Sequence, residues 1–214
     1  MFETWFHCLY HMGKIYHTRH YRLTVAQIFQ MDAYLIQTKF WRVLGGAFWF
    51  KDLEGNIIAY SKQKRFKLKE DIVLYTDESC TQPLLQIKAR SMIDIWATYD
   101  VTDPNTGEHL GSLQRKGLKS IFRDSWKLLD VQGNQYGELL EDSNALLRRF
   151  IPFGGLVPAK YHFEIPGNNG ITLHQQFNPI IKKSLITIPP GHPMDRRMVV
   201  ATALLNSAIE GRQG

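Results

Sequence analysis

Apolar and polar residues alternate along much of the chain after residue 33, and this period of two predicts β-strands. The clearest case is Ile93–Val101, in which every second residue is apolar or aromatic. Aromatic and β-branched residues, which strands favour, are frequent in the other candidates as well. We predict about twelve strands: 33–40, 45–51, the stretch after the turn in 51–60, 71–76, 84–90, 93–101, 110–115, 126–131, 135–140, 160–165, 171–177 and 182–188.

Short connections rich in Asp, Asn and Gly separate many of these strands and predict tight turns. Similar sequence patterns occur in Asp52–Asn56, Asp103–Gly111 and Asp130–Gly137, and Ile165–Gly170 contains the same types of turn-forming residue. Each leads into an outgoing strand, as in a β-hairpin. Successive hairpins predict an antiparallel meander, and turn signals at intervals of about 8–12 residues are typical of a sandwich or a barrel.

The segment 195–209 has a different pattern and predicts a helix. It follows the breaker Pro189–Pro193, and Asp195 is suited to cap its first free N–H groups. From Met198 to Ile209 the apolar residues point all round the axis, which is typical of a helix buried in protein or in lipid. This part is about 18 Å long, shorter than a bilayer core requires. The sequence therefore predicts a closed barrel with the helix inside.

The first 30 residues differ from the rest, so we predict an aromatic and His-rich extension over 1–30 and a barrel domain over 31–210. His7 and His11 have a spacing that can bind a metal on a helix, but no acidic or thiol ligand pattern completes such a site. We therefore predict no metal site and expect the extension to dock its aromatic side on the domain. Two short helices are also predicted, at 24–31 and 143–150.

Composition is that of an ordinary globular protein and limits the partners only loosely. The 214 residues include 26 Lys and Arg against 20 acidic residues, a net charge of +6. A basic excess favours anionic partners such as phosphate or acidic lipid, although many proteins with such an excess bind neither. Two cysteines without a motif and an N-terminus without a secretory pattern favour a cytoplasmic location, with peripheral membrane contact if lipid is the partner.

Three stretches of the sequence resemble a known family. They are M-D-A-Y-L-I-Q-T-K with the turn D-L-E-G-N-I-I-A, the units I-D-I-W-A-T-Y-D-V and W-K-L-L-D-V-Q-G-N-Q-Y-G-E-L, and the ending L-I-T-I-P-P-G-H-P-M-D-R-R-M-V-V-A-T-A-L-L-N-S-A-I-E. From about Met31 to Glu210 the chain resembles the tubby-like barrel superfamily, in the branch of LURP-one-related proteins and phospholipid scramblases. The resemblance implies a 12-stranded antiparallel barrel around a C-terminal apolar helix, which the residue pattern predicts independently.

Functions in this superfamily diverge, so the resemblance identifies the fold better than the activity. Tubby domains bind phosphoinositide headgroups through basic residues, and scramblase-like proteins have been linked to calcium and lipid movement. LURP-one-related proteins have no settled biochemical role. The scramblase pattern has an acidic stretch before the last helix, whereas Ile186–Asp195 contains a single acid, so we expect poor calcium binding.

Basic residues are the best candidates for a binding site. Lys62–Lys69 contains five basic residues in eight, and a strand with Phe66 and Leu68 inward would present basic side chains on its outer side. We predict an anionic-headgroup site built from Arg65, Lys67, Lys69, Arg115, Lys116 and Lys119. The competing interpretation is that outward lysines protect strand edges against aggregation.

No catalytic signature is present, so we predict that the protein is not an enzyme and uses no cofactor. Glu138, Glu141 and Asp142 lie close in sequence and are expected to be solvated at a strand end. The leading hypothesis is a barrel domain that binds anionic lipid headgroups or another phosphate-bearing ligand. The alternative is a structural or protein-interaction module that acts through the barrel surface and the N-terminal extension. An enzyme with a deep pocket and buried carboxylates is the third class, and no nucleic-acid partner is expected.

Overall fold

Twelve strands and two helices make up the part of the chain that the computed structural model describes, which is residues 24–41, 45–64, 71–90, 97–116, 125–142, 157–177 and 181–210. Helix α1 spans Val25–Ile28 and helix α2 spans Arg196–Glu210. The strands are β1 Ala33–Trp41, β2 Gly45–Lys51, β3 Ile57–Lys64, β4 Ile72–Tyr75, β5 Pro83–Ala89, β6 Thr98–Thr102, β7 His109–Arg115, β8 Ser125–Leu129, β9 Gln135–Glu141, β10 Lys160–Glu164, β11 Thr172–Gln176 and β12 Lys182–Thr187.

Every strand pairs antiparallel with its neighbours in sequence, and the first strand pairs with the last. The pairing of β1 with β12 places Ala33 opposite Thr187 and Thr38 opposite Lys182, which closes the sheet into a barrel. The prediction of a closed antiparallel barrel of about twelve strands with a C-terminal helix is therefore confirmed. Closure also removes the free strand edges that an open sheet exposes.

Helix α2 forms part of the hydrophobic core together with the inner faces of the strands. Its residues from Met198 to Ala208 are all buried, as expected for a helix that is apolar all round. The backbone N–H of Arg197 donates to Oδ1 of Asp195 at 2.8 Å, so the predicted capping residue lies just before the helix. Neither helix in the described ranges is long and apolar enough to cross a membrane.

Two of the buried polar side chains of α2, those of Thr202 and Asn206, have hydrogen-bond partners. The hydroxyl of Thr202 donates to the carbonyl of Met198 at 2.6 Å, and Nε1 of Trp126 on β8 donates to Oδ1 of Asn206 at 3.2 Å. An unpaired polar group in a core costs about 1–3 kcal/mol, so these bonds are needed to keep an otherwise apolar helix inside the barrel.

Aspartate side chains organise the predicted hairpin turns. Oδ1 of Asp52 accepts the backbone N–H of Asn56 at 2.8 Å, and Oδ1 of Asp130 accepts that of Asn134 at the same distance. Gly55 has a φ of +92°, a conformation that residues with a Cβ rarely adopt. The repeated Asp and Gly residues in the sequence therefore serve to form the tight turns.

Some boundaries differ from the predicted ones. The helix predicted over 24–31 is shorter, because Thr24 caps it and the chain leaves helical geometry at Phe29. The strand predicted over 93–101 is observed from Thr98, and its first residues up to 96 lie outside the described ranges. The helix predicted at 143–150 lies outside them too, as do His7 and His11.

Candidate anion-binding surface

The connections between strands form two groups at opposite ends of the barrel, because consecutive strands run antiparallel. Five hairpin turns at one end, which we call the acidic end, contain seven Asp or Glu residues and no Lys or Arg: 52–56, 77–82, 103–108, 130–134 and 165–170. The other connections leave the strands at the opposite end, which we call the basic end. In the sequence these connections contain ten Lys or Arg residues and five acids, most of which lie outside the described ranges: 42–44, 65–71, 90–97, 116–124, 142–159 and 177–181.

Two arginines at the start of α2 partly neutralise the acidic end. Arg196 forms an ion pair with Asp32 at 2.8 Å, and Arg197 pairs with Glu108 at 2.6 Å and with Asp195 at 2.7 Å. The hydrogen bonds that Arg197 donates to Asp195 outweigh partial burial, so the pKa of Arg197 lies above its ordinary value. These ion pairs hold the N-terminal end of α2 against the neighbouring segments.

Charge is also distributed unevenly around the barrel. Strands β12, β1, β2 and β3 are adjacent, and together they contain six lysines and no Asp or Glu. On the other side, β5 to β9 contain Lys88, Arg115 and Lys127 together with three carboxylates. The first group of strands is therefore the more cationic side.

Three of these lysines lie close together on the outer surface near the basic end. The register places Lys62 of β3 opposite Ala47 of β2, and Ala47 opposite Lys39 of β1. Lys183 of β12 lies opposite Gln37, two residues from Lys39. Direct cross-strand neighbours are about 5 Å apart and diagonal ones about 7–8 Å, so these side chains share one patch. We call Lys39, Lys62 and Lys183 the lysine face.

Strand alternation sets the outward direction of the lysine face. Ile36 and Thr38, the inward residues before Lys39, are buried, and Lys39 itself is exposed. On β3, Lys62 is exposed between two buried inward residues, Ser61 and Gln63. Lys183 is half-buried.

Two aromatic residues adjoin the lysine face. Trp49 of β2 lies opposite both Gln37 and Tyr60, and the rings of Trp49 and Tyr60 are 5.7 Å apart. The indole N–H of Trp49 donates to the carboxylate of Glu78 at 2.5 Å. Burial raises the pKa of Tyr60, and the nearby Cys80 and Glu78 add to the effect. A half-buried indole beside lysines is typical of surfaces where one end of the side chain is apolar and the other is wet.

On the other side of the barrel, basic groups are paired with carboxylates. Nε of Arg90 donates to both oxygens of Asp100 at 2.8 and 2.9 Å, and the hydroxyl of Ser112 donates to the same group at 2.7 Å. Burial raises the pKa of Asp100, but these hydrogen bonds and the charges of Arg90 and His109 outweigh it, so the pKa lies below its ordinary value. Such pairing leaves less positive potential for an anionic ligand.

The structure gives different outcomes for the residues predicted from sequence. Arg65, Lys67, Lys69 and Lys119 lie outside the described ranges, so their role in a headgroup site stays a prediction. Arg115 is half-buried and lies opposite the inward Trp126, and Lys116 forms an ion pair with Glu138. Both are near the basic end, but β7 is four strands away from β3 around the barrel.

Lys39 and Trp49 were not predicted as site residues. The alternation in Ala33–Phe40 indicates that Leu35, Gln37 and Lys39 share a face, so Lys39 could have been found from the sequence. Its proximity to Lys183 could not, because that depends on the pairing of β1 with β12. The edge-protection interpretation also loses its basis for these lysines, because the closed barrel has no edge there.

A groove of about 580 Å³ lies on the outer side of β9, β10 and the following turn. Its polar residues include Glu138, Glu164 and His162, whose Nδ1 lies 2.7 Å from Asp142. Glu164 is exposed and Glu138 is half-buried. The expectation that Glu141 is solvated is wrong: it is 4% exposed, because the register opposite Tyr161 turns it inward.

Among the residues that the structure describes, no group of three or more His, Cys, Asp or Glu side chains is arranged so that it could hold a metal ion. In the stretch 186–195 the single acid, Asp195, is bound by the guanidinium of Arg197 at 2.7 Å. Poor calcium binding remains a prediction.

Comparison with known proteins gives one match. The family model described as LURP-one-related matches residues 57–144, which run from β3 to just beyond β9. This match confirms the LURP-one-related resemblance for that segment. It includes Lys62 and the six residues predicted as a headgroup site, but not Lys39 or Lys183. No curated protein and no solved structure matches the chain.

Proposed function

We propose that this chain, which carries a LURP-one-related segment in a closed twelve-stranded barrel, is a non-enzymatic protein that binds anionic lipid headgroups or another phosphate-bearing ligand. The single observation that carries the proposal is the run of four adjacent strands with six lysines and no carboxylate. The ligand contacts the lysine face at the basic end of the barrel, at the periphery of a membrane.

The spacing of the lysine face suits a phosphate group. Lys39 and Lys62 are two strands apart, so their backbones are separated by about 10 Å. Each lysine has a flexible four-carbon stem and a compact ammonium group, so two such groups can converge on one phosphate.

The electrostatic attraction between three lysines and an anionic membrane is weak enough to give reversible binding. A lysine near an anionic membrane surface contributes about 1 kcal/mol, so the lysine face contributes about 3 kcal/mol. This corresponds to roughly a hundredfold change in affinity, since about 1.4 kcal/mol is tenfold. Such binding weakens with salt, because exposed charges are screened over about 8 Å at physiological ionic strength.

The test is co-sedimentation of the full chain with vesicles of phosphatidylcholine alone or mixed with phosphatidylserine or a phosphoinositide. We expect binding to the anionic vesicles that decreases with salt. The triple variant Lys39→Gln, Lys62→Gln and Lys183→Gln should bind roughly a hundredfold more weakly. A matched control removes the same charge from the other strands with Lys88→Gln, Lys127→Gln and Lys160→Gln, and should lose much less.

The outcomes separate the sources of phosphate. Competition of vesicle binding by soluble inositol phosphate would identify the headgroup as the recognised part. Binding of soluble phosphate compounds without vesicle binding would identify a free ligand. Equal binding to neutral and anionic vesicles, or equal losses in the two triple variants, would refute the lysine face as the site.

The residues predicted from sequence alone provide a second test. We expect the variant Arg65→Glu, Lys67→Glu and Lys69→Glu to abolish vesicle binding, because these residues follow directly after β3. The measurement is the same co-sedimentation assay. Full binding by this variant together with loss in the lysine-face variant would restrict the site to the described strands.

A protein-interaction module is the second candidate function. It is favoured by an exposed apolar pair at the acidic end, where Leu53 is 72% and Ile57 is 48% exposed. Large apolar side chains in water often mark a contact surface when they form a patch. If the protein binds neither anionic vesicles nor soluble phosphate compounds, this second function would be favoured.

A further inference from the structure

A second groove lies at the acidic end, between α1 and the β2–β3 turn. Its volume is about 620 Å³, within the usual range of ligand pockets. Gln27 and Met31 line one side, and Leu53 and Ile58 line the other. We call this the α1 groove. It lies on strands that belong to the proposed lipid-binding side, but at the opposite end of the barrel.

The α1 groove combines apolar and acidic groups. Leu53 projects into solvent, whereas Ile58 is buried below it. Asp52 and Glu54 add two carboxylates, and their hydrogen bonds come from Asn56, which is neutral. The matching occupant is therefore a segment with aromatic and basic side chains.

Residues 1–23 have this composition, and they join the described chain beside the groove. They contain Lys14, Arg19 and Arg22 against a single acid, with six aromatic residues and four histidines. The described chain begins at Thr24, three residues before Gln27 of the groove. Three residues span at most about 10 Å, so the segment starts within reach of the site.

We propose that residues 1–23 dock in the α1 groove of the same chain, with aromatic side chains against Leu53 and basic groups beside Asp52 and Glu54. The covalent connection makes docking intramolecular, and short tethers give effective concentrations of about millimolar. Even a weak contact then keeps the groove occupied for much of the time. A groove of this volume holds a few side chains, so part of the segment anchors the rest.

Limited proteolysis of the full chain tests the proposal. Trypsin cleaves after Arg19 and Arg22, and docking slows this cleavage because a protease needs an accessible extended segment. We expect the double variant Leu53→Ser and Glu54→Gln to release the segment and speed the loss of residues 1–22 at least threefold. Mass spectrometry of the shortened chain measures the rate at these two sites separately from other cuts.

The control variant removes one exposed apolar side chain and one carboxylate at other positions of the acidic end. Val131 is 52% exposed in the β8–β9 turn and Glu164 is exposed at the end of β10. The variant Val131→Ser and Glu164→Gln therefore matches the groove variant in lost apolar surface and charge, and should be cleaved at the wild-type rate. Thermal unfolding checks that both variants keep the fold.

Three results would overturn the proposal. Cleavage at the same rate in wild type and groove variant would mean that the groove does not hold the segment. Equal acceleration in the control would assign the effect to general charge. Protection that grows with protein concentration would make a second copy the occupant. Because no vesicle is present, these outcomes are independent of the lipid-binding test.

Discussion

Gly111 shows how one absent side chain allows two strands to approach closely. Its φ is +137°, and a Cβ at this position would lie 2.4 Å from the carbonyl oxygen of Leu129. We predict that Gly111→Ala lowers the free energy of unfolding by at least about 2 kcal/mol, since it adds a backbone clash to the conformational strain. Urea unfolding measures the change.

Gly133 is the matched control for this prediction. Its φ is +88°, but nothing lies within 4 Å of the position of a Cβ. Gly133→Ala should therefore cost only the strain of the left-handed conformation, about 1 kcal/mol. Equal losses in the two variants would contradict the close approach of β7 and β8 at Gly111.

The bond between Trp126 and Asn206 joins the barrel wall to the helix inside it. We predict that Asn206→Ala lowers the free energy of unfolding by about 1–3 kcal/mol, because it leaves the buried indole N–H without its acceptor. Trp126→Phe in the same background should then cost less than it does alone, since the partner is already lost. Additive losses in this double-mutant cycle would show that the two side chains are not coupled.

Asp100 gives a prediction about pH. Its pKa lies below the ordinary value of 3.8, so its contacts stabilise the fold above that pH and are lost as pH falls through the lower folded-state value. Ser112→Ala removes one of the hydrogen bonds and should raise the pKa of Asp100, moving the acid loss of stability to higher pH. Carboxyl NMR titration measures the pKa, and an unchanged value would contradict the bond.

At the scale of elements, α2 is a buried part of the hydrophobic core that the strands surround. We predict that Leu204→Ala costs about 2–5 kcal/mol and that Val200→Asp, which buries an unpaired charge, leaves the protein insoluble. Deletion of everything after Met194 should have the same effect. A cooperative thermal transition of the deleted form near the full-length temperature would refute the role of the helix as a core.

Strands, turns and helix could be predicted because each depends on short-range patterns. Burial alternates along a strand, Asp and Gly mark the turns, and an apolar surface all round α2 requires a surrounding wall. Pairing partners could not be predicted in this way. The pairing of Lys116 with Glu138 and the inward position of Glu141 depend on register with neighbouring strands, which local sequence does not specify.

In the candidate site, too, local sequence predicted the type of residue but not which residues lie together. The sequence indicated that basic residues matter, but it grouped Lys69 with Arg115 and Lys116, which come from different sides of the barrel or lie outside the described ranges. Closure between the first and last strands brings Lys39 and Lys183 together, although 143 positions separate them in the sequence. Only the three-dimensional arrangement defines the lysine face.

At the scale of the whole molecule, charge gives the barrel a direction. The hairpin turns at one end contain only acidic charges, whereas the lysine face lies near the other end. An anionic membrane repels the acidic turns and attracts the lysines. The barrel should therefore approach a membrane in one orientation, with the lysine face towards the lipid. The proposed docking of residues 1–23 is at the acidic end, away from the lysine face.

Site-specific labelling tests this orientation most directly. Environment-sensitive fluorophores are attached to Lys62→Cys on the lysine face or to Val131→Cys at the acidic end, in chains whose native cysteines are replaced by serine. On addition of anionic vesicles, we predict a spectral shift and quenching by lipid-borne quenchers at position 62 and neither at position 131. A response at 131 alone, or equal responses at both positions, would contradict the account.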